Sequence, residues 1–131
     1  MTVESKGSVY SLVTLSEAVP YWAGGSSPQR GDVFVLSMDQ PNILGRHPLA
    51  TTIHVLDPRI ARRHCQIEWA KTENTWIISE LGAPNSTRVN SQMLGRNQVI
   101  ELHVGDQIQC GNTVFQLTHE GEGPSPLSDA G

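Results

Sequence analysis

Apolar and polar residues alternate with a period of two along several short stretches of this chain. Cys65, Ile67 and Trp69 alternate with Gln66 and Glu68, and Ile100, Leu102 and Val104 alternate with Glu101 and His103. Ile108 and Cys110 alternate with Gln107 and Gln109. Successive side chains of a strand point to opposite faces, so each stretch predicts a strand with one buried and one wetted face. Val33 to Leu36 and Thr113 to Leu117 are β-branched and aromatic enough to be strands as well. Gly105-Asp106 and Gly111-Asn112 mark tight hairpin-type connections. No segment sustains a helical period, so the pattern predicts an all-β fold, a sandwich of two packed antiparallel sheets whose loops carry the functional residues.

Composition divides the chain into three parts. Residues 1–31 combine a short apolar segment, Val9 to Val13, with the breaker-rich Gly24-Gly25-Ser26-Ser27-Pro28, and read as a leader that joins the core late or incompletely. Residues 32–119 hold the run of short apolar segments expected of the domain. Residues 120–131 are dominated by Gly, Pro and Ser, with too few large apolar groups to offset the entropy of ordering them, and read as a flexible tail or linker. A chain of 131 residues fits one domain, since single domains commonly hold about 100 to 150.

Charge is unevenly placed. The formal net charge is -4, yet Arg46, Arg59, Arg62 and Arg63 cluster mid-chain with only Asp57 as a nearby acid. An acidic whole argues against a protein that coats duplex nucleic acid, which needs a broad basic face. A pocket for one small anion remains. The polar N-terminus and the shortness of every apolar run predict a protein with neither signal peptide nor membrane span, hence an intracellular one, nuclear or cytoplasmic.

The remaining chemistry-bearing residues read as structural. Cys65 and Cys110 lack metal or redox spacing and sit where small core residues would. His47, His54, His103 and His119 show no ligand spacing, so neither a metal nor another cofactor is expected. Trp69 and Trp76 fall on apolar alternation and suit the core better than a base-stacking platform, while Trp22 stays open. No nucleophile has a base in plausible context and no paired carboxylates occur in the loops, so no enzymatic activity is expected.

Four motifs in one order then meet a known family. Leu44-Gly45-Arg46, the segment from Asp57 to His64, the loop from Asn85 to Asn90, and Gly105 to Gly111 resemble the forkhead-associated domain, over about Asp32 to Thr118. The stretch from Val89 to Arg96 looks most like members found in nuclear checkpoint kinases. The resemblance implies a β-sandwich that recognises phosphothreonine in partner proteins for reversible signalling assembly, with oligomers possible through such contacts, and with no nucleic-acid or membrane partner.

Residue by residue, the resemblance implies that Arg46 contacts the phosphate, with Arg62 and Arg63 beside it. A phosphothreonine is nearly dianionic and offers three acceptor oxygens, so a guanidinium fork suits it. Asn85 would grip the peptide backbone, because a carboxamide both donates and accepts. Arg59 would sit on the rim and favour an acidic residue C-terminal to the phosphothreonine. Gly45, His64, Thr87 and Asn90 would support the loops, with His64 structural rather than a catalytic base. Arg88 and Arg96 are left to solvent.

The chain departs from the family at Ala61, where most members carry a serine whose hydroxyl donates to the phosphate, and at Ala83 and Ser86 in the third loop. These departures keep a second function in play: a phosphorylation-independent interaction or oligomerisation domain with a degenerate phosphate site.

Overall fold

The computed structural model describes residues 9–15 and 30–120. Eleven strands follow in order: β1 Val9–Thr14, β2 Val33–Val35, β3 Asn42–Gly45, β4 Ile53–His54, β5 Cys65–Ala70, β6 Thr75–Glu80, β7 Thr87–Val89, β8 Gln92–Leu94, β9 Val99–Leu102, β10 Gln107–Cys110 and β11 Thr113–Glu120. They form two sheets, β2-β1-β11-β10-β7-β8 and β4-β3-β5-β6-β9. This is the expected all-β sandwich. All pairs are antiparallel except β3 with β4, a two-residue parallel edge that forms because the chain after β3 folds back until the Thr52 amide donates to the Ile43 carbonyl.

Period-two burial builds the core. Cys65 and Ile67 on β5, Trp76 and Ile78 on β6, Ile108 and Cys110 on β10, and Phe115 and Leu117 on β11 all turn inward and are buried. Burying a side chain of this size stabilises a domain by roughly 1.5 to 3 kcal/mol. Tyr10, Trp69 and Trp76 meet as an aromatic cluster, with the two indoles edge to face at 5.3 Å. Cys65 and Cys110 come from opposite sheets and place their sulfurs 3.8 Å apart. The hydrogen-bonded Cys65 thiol, and then burial, hold the Cys110 thiol well above its ordinary pKa, which leaves it a protonated core group.

Three expectations need correction. The sandwich extends N-terminal of residue 32: β1 pairs with β11 on one side and β2 on the other, and Leu12 is fully buried opposite Leu117. The rest of residues 1–31, Trp22 included, lies outside the described residues apart from Leu15, Arg30 and Gly31, as does the tail beyond Glu120. Gly111-Asn112 does close a hairpin between β10 and β11, but Gly105-Asp106 carries the chain from one sheet to the other, since β9 pairs with β6 and β10 with β11. That crossover ends the inward alternation at Leu102 and leaves Val104 exposed.

Candidate functional site

Strand register brings three loops to one end of the sandwich. Cys65 pairs with both Leu44 and Glu80, so the chain leaves β3, enters β5 and leaves β6 at one level. The loops are residues 46–52, 55–64 and 81–86. Cys110 pairs with Thr87, which places the β10–β11 hairpin beside them.

The first two loops are zipped together. The Arg46 amide donates to the Ala61 carbonyl at 2.9 Å, the His47 amide to Arg62 at 3.3 Å, and the His64 amide to Leu44 at 2.7 Å. A Cβ on Gly45 would lie 2.0 Å from the Arg62 carbonyl oxygen, so only glycine lets the backbones come this close. Arg46 donates from Nε to the Ile60 carbonyl at 2.9 Å. One edge of its guanidinium is thereby fixed, while the terminal nitrogens have no hydrogen bond among the described residues. Arg59, Arg62 and Arg63 are exposed.

Asp57 anchors the second loop from below. Its buried carboxylate accepts from the Arg59 amide at 2.9 Å, the Asn112 amide at 2.8 Å and the Thr113 hydroxyl at 2.7 Å. The acid nearest the arginines in sequence is therefore bonded to neutral donors and makes no ion pair with them among the described residues. Gly111, at φ +60, lies so close beneath that a Cβ there would be 3.0 Å from Arg59 and Ile60.

Glu80 does the same for the third loop. It accepts from the Thr87 hydroxyl at 2.7 Å, the Thr87 amide at 3.2 Å and the Ala83 amide. His64 joins loops two and three: its Nδ1 accepts the Ala61 amide at 3.0 Å and its carbonyl accepts the Leu81 amide at 3.1 Å. Burial pushes its pKa down, against the pull of Glu80, the Ser86 and Asn85 backbone and Asp57. A ring that accepts at Nδ1 and is neutral carries its proton on Nε2, which faces that backbone without closing a hydrogen bond of normal geometry. Asn85, exposed on loop three, donates to the Arg59 carbonyl at 3.0 Å.

The structure thus brings together Arg46, Arg59, Arg62, Arg63 and Asn85, with Gly45, His64 and Thr87 beneath them. Asn90 is elsewhere. It sits at φ +50 at the opposite end of β7, donating to Asp106 and accepting from the Gln107 amide, both at 2.9 Å, so it fixes the far turn rather than the loops. Sequence reasoning missed the roles of Asp57 and Glu80. The one available signal was Asp57 before Pro58, a pair that favours turns in which the acid caps the backbone two residues on. Among the described residues, no group of three or more His, Cys, Asp or Glu side chains is placed to hold a metal ion, and no helix is long and apolar enough to cross a membrane.

The FHA domain family model matches residues 42–111, which run from the start of β3 to the glycine beneath Arg59 and enclose all three loops. The chain belongs to the FHA domain family. An FHA domain-containing protein of Arabidopsis thaliana is 30% identical over 84 residues, covering 64% of this chain and 21% of its own. A second curated relative, from Caenorhabditis elegans and uncharacterised, is 29% identical over 90% of this chain and 19% of its own. The chain thus spans about a fifth of the length of the curated relatives it matches. Among solved structures, the FHA domain of an Arabidopsis thaliana hypothetical protein superposes with a TM-score of 0.74 at 25% identity, covering 95% of this FHA chain and 96% of that one. The MEK1 FHA domain in complex with a HOP1 phosphothreonine peptide superposes with a TM-score of 0.60 at 18% identity, over 66% and 87%.

Proposed function

We propose that this FHA domain binds phosphothreonine-containing segments of intracellular partner proteins and performs no catalysis of its own. One observation carries the proposal: Arg46 is held by Nε against Ile60, and its terminal nitrogens are left unbonded among the described residues. It stands in a loop cluster whose acids, Asp57 and Glu80, are already saturated by backbone and hydroxyl donors. A guanidinium anchored in this way presents a fork whose ordering cost is already met, as a doubly charged phosphate requires. The phosphothreonine peptide seated on a structural neighbour supports the same use of this fold.

In this scheme Arg46, Arg62 and Arg63 take the phosphate, Asn85 the peptide backbone and Arg59 an acidic residue nearby. Ala61 offers no hydroxyl, but its carbonyl and amide still hold Arg46 and His64 in place. The Arg62 and Arg63 amides make no hydrogen bond among the described residues and are two further donors directly after Ala61 in the chain. Ala61 also favours a second reading, a sandwich that binds partners regardless of phosphorylation. A fluorescence-polarisation titration with matched phosphothreonine, phosphoserine and unphosphorylated peptides separates the two. Selective phosphothreonine binding that is abolished in Arg46→Ala supports the first, and equal binding of all three peptides by a folded domain establishes the second.

A further inference from the structure

Leu49 is 90% exposed, against 66% for Val35 and 57% for Val33, the next most exposed large apolar residues among those described. A single exposed leucine is ordinarily unremarked. This one, however, is held out by a built turn. His47 accepts the Leu49 amide on Nδ1 at 3.2 Å, and its carbonyl accepts the Ala50 amide at 3.1 Å and the Thr51 hydroxyl at 2.8 Å. The turn is tied at its base by His47 donating to Arg62, and at its far end by Ile43 donating to the Thr52 hydroxyl at 2.8 Å. The side chain is thus presented by a fixed backbone, in the same loop as Arg46 and three residues beyond it.

We propose that Leu49 is a specificity-determining residue that packs on an apolar side chain of the phosphopeptide, an inference that rests on the phosphothreonine reading above. Three residues of chain span at most about 10 Å, and an extended peptide covers that distance in the same number. With the reach of the Arg46 and phosphothreonine side chains added, the selected side chain lies within about five positions of the phosphothreonine. Burying a leucine that the loop already holds in place gains apolar contact with little further ordering. The arginines would then supply phosphate dependence, and Leu49 the choice among phosphorylated segments.

The test is a phosphothreonine peptide library screened against the parent, Leu49→Ser and Leu49→Met, followed by titration of the best peptide and of its serine-substituted form. The expected result is an apolar preference within about five positions of the phosphothreonine, weakened roughly five- to tenfold in affinity by Leu49→Ser and retained by Leu49→Met. Because Leu49 touches solvent almost entirely, neither variant should shift the thermal midpoint. A parent that discriminates phosphothreonine but shows no apolar preference, or keeps that preference in Leu49→Ser, overturns this inference and leaves the phosphothreonine reading standing. A parent blind to phosphorylation overturns both.

Discussion

Asn85 and Arg59 join the third loop to the second: the Asn85 side-chain amide donates to the Arg59 carbonyl at 3.0 Å. One N–H of the carboxamide is thereby used within the protein. The other N–H and the oxygen remain for a ligand, which is a donor and an acceptor side by side, as one peptide unit demands. The same contact sets where Arg59 stands, since its own amide is held from the other side by Asp57.

Asn85→Asp keeps the shape of the side chain but removes the donor and points a charge at the Arg59 carbonyl. A phosphate bound nearby would meet that charge as well. We expect at least tenfold weaker phosphopeptide binding, while the exposed position limits the stability loss to about 1 kcal/mol. Titration and urea denaturation measure the two effects. Full affinity in Asn85→Asp would remove Asn85 from the binding surface.

Gly45→Ala tests the contact between loops one and two. The new methyl would meet backbone, the Arg62 carbonyl at 2.0 Å and the Arg63 Cα at 2.9 Å, and neither can swing away as a flexible side chain would. The loops must part, with loss of the Arg46 to Ala61 and His47 to Arg62 bonds. Overpacking of this kind costs about 1 to 3 kcal/mol. Denaturation of Gly45→Ala with parental stability would show that the loops yield freely.

Ala61→Ser predicts a gain. A hydroxyl restored beside Arg62 adds a donor to a charged group, a bond worth roughly 1.5 to 3 kcal/mol, or about ten- to a hundredfold in affinity. The backbone around Ala61 is already fixed by Arg46 and His64, so the new side chain needs no rearrangement. Unchanged affinity for a phosphothreonine peptide would mean that the phosphate lies elsewhere or that the Arg62 and Arg63 amides already fill the gap.

Much of this was legible from residue order, and the exceptions share a cause. Alternation at Cys65 to Trp69 and at Gln107 to Cys110 announced strands because burial of one face acts on every second residue. β1 was harder to place, since its partner β11 lies a hundred residues away and the intervening breakers suggest detachment. Gly105-Asp106 has the local chemistry of a hairpin, and nothing local says which sheet the next strand joins. Asp57 and Glu80 look like surface acids, because the amides that bury them come from Asn112 on a distant hairpin and from Ala83 and Thr87 after a turn. Arg59, Arg62, Arg63 and Asn85 stand exposed on the loops and Arg46 is half-buried beside them, so residue order alone could single them out as candidates. Asn90 was misplaced because spacing gives its distance from Thr87 but not the direction of β7.

His64 makes stability depend on pH. Burial lowers its folded pKa below the ordinary 6.5, so below that pH the unfolded chain takes up a proton that the folded chain resists. The contribution is intact above about pH 6.5 and is lost as pH falls through the folded value. Protonation would also remove the Nδ1 acceptor from the Ala61 amide, so the loss falls on loop two and phosphopeptide binding should weaken in step. His64→Gln keeps an acceptor and does not titrate. Its stability between pH 7 and 5 should fall less steeply than the parent's. Parallel curves for parent and variant would show that His64 is not the group that makes the domain acid-sensitive.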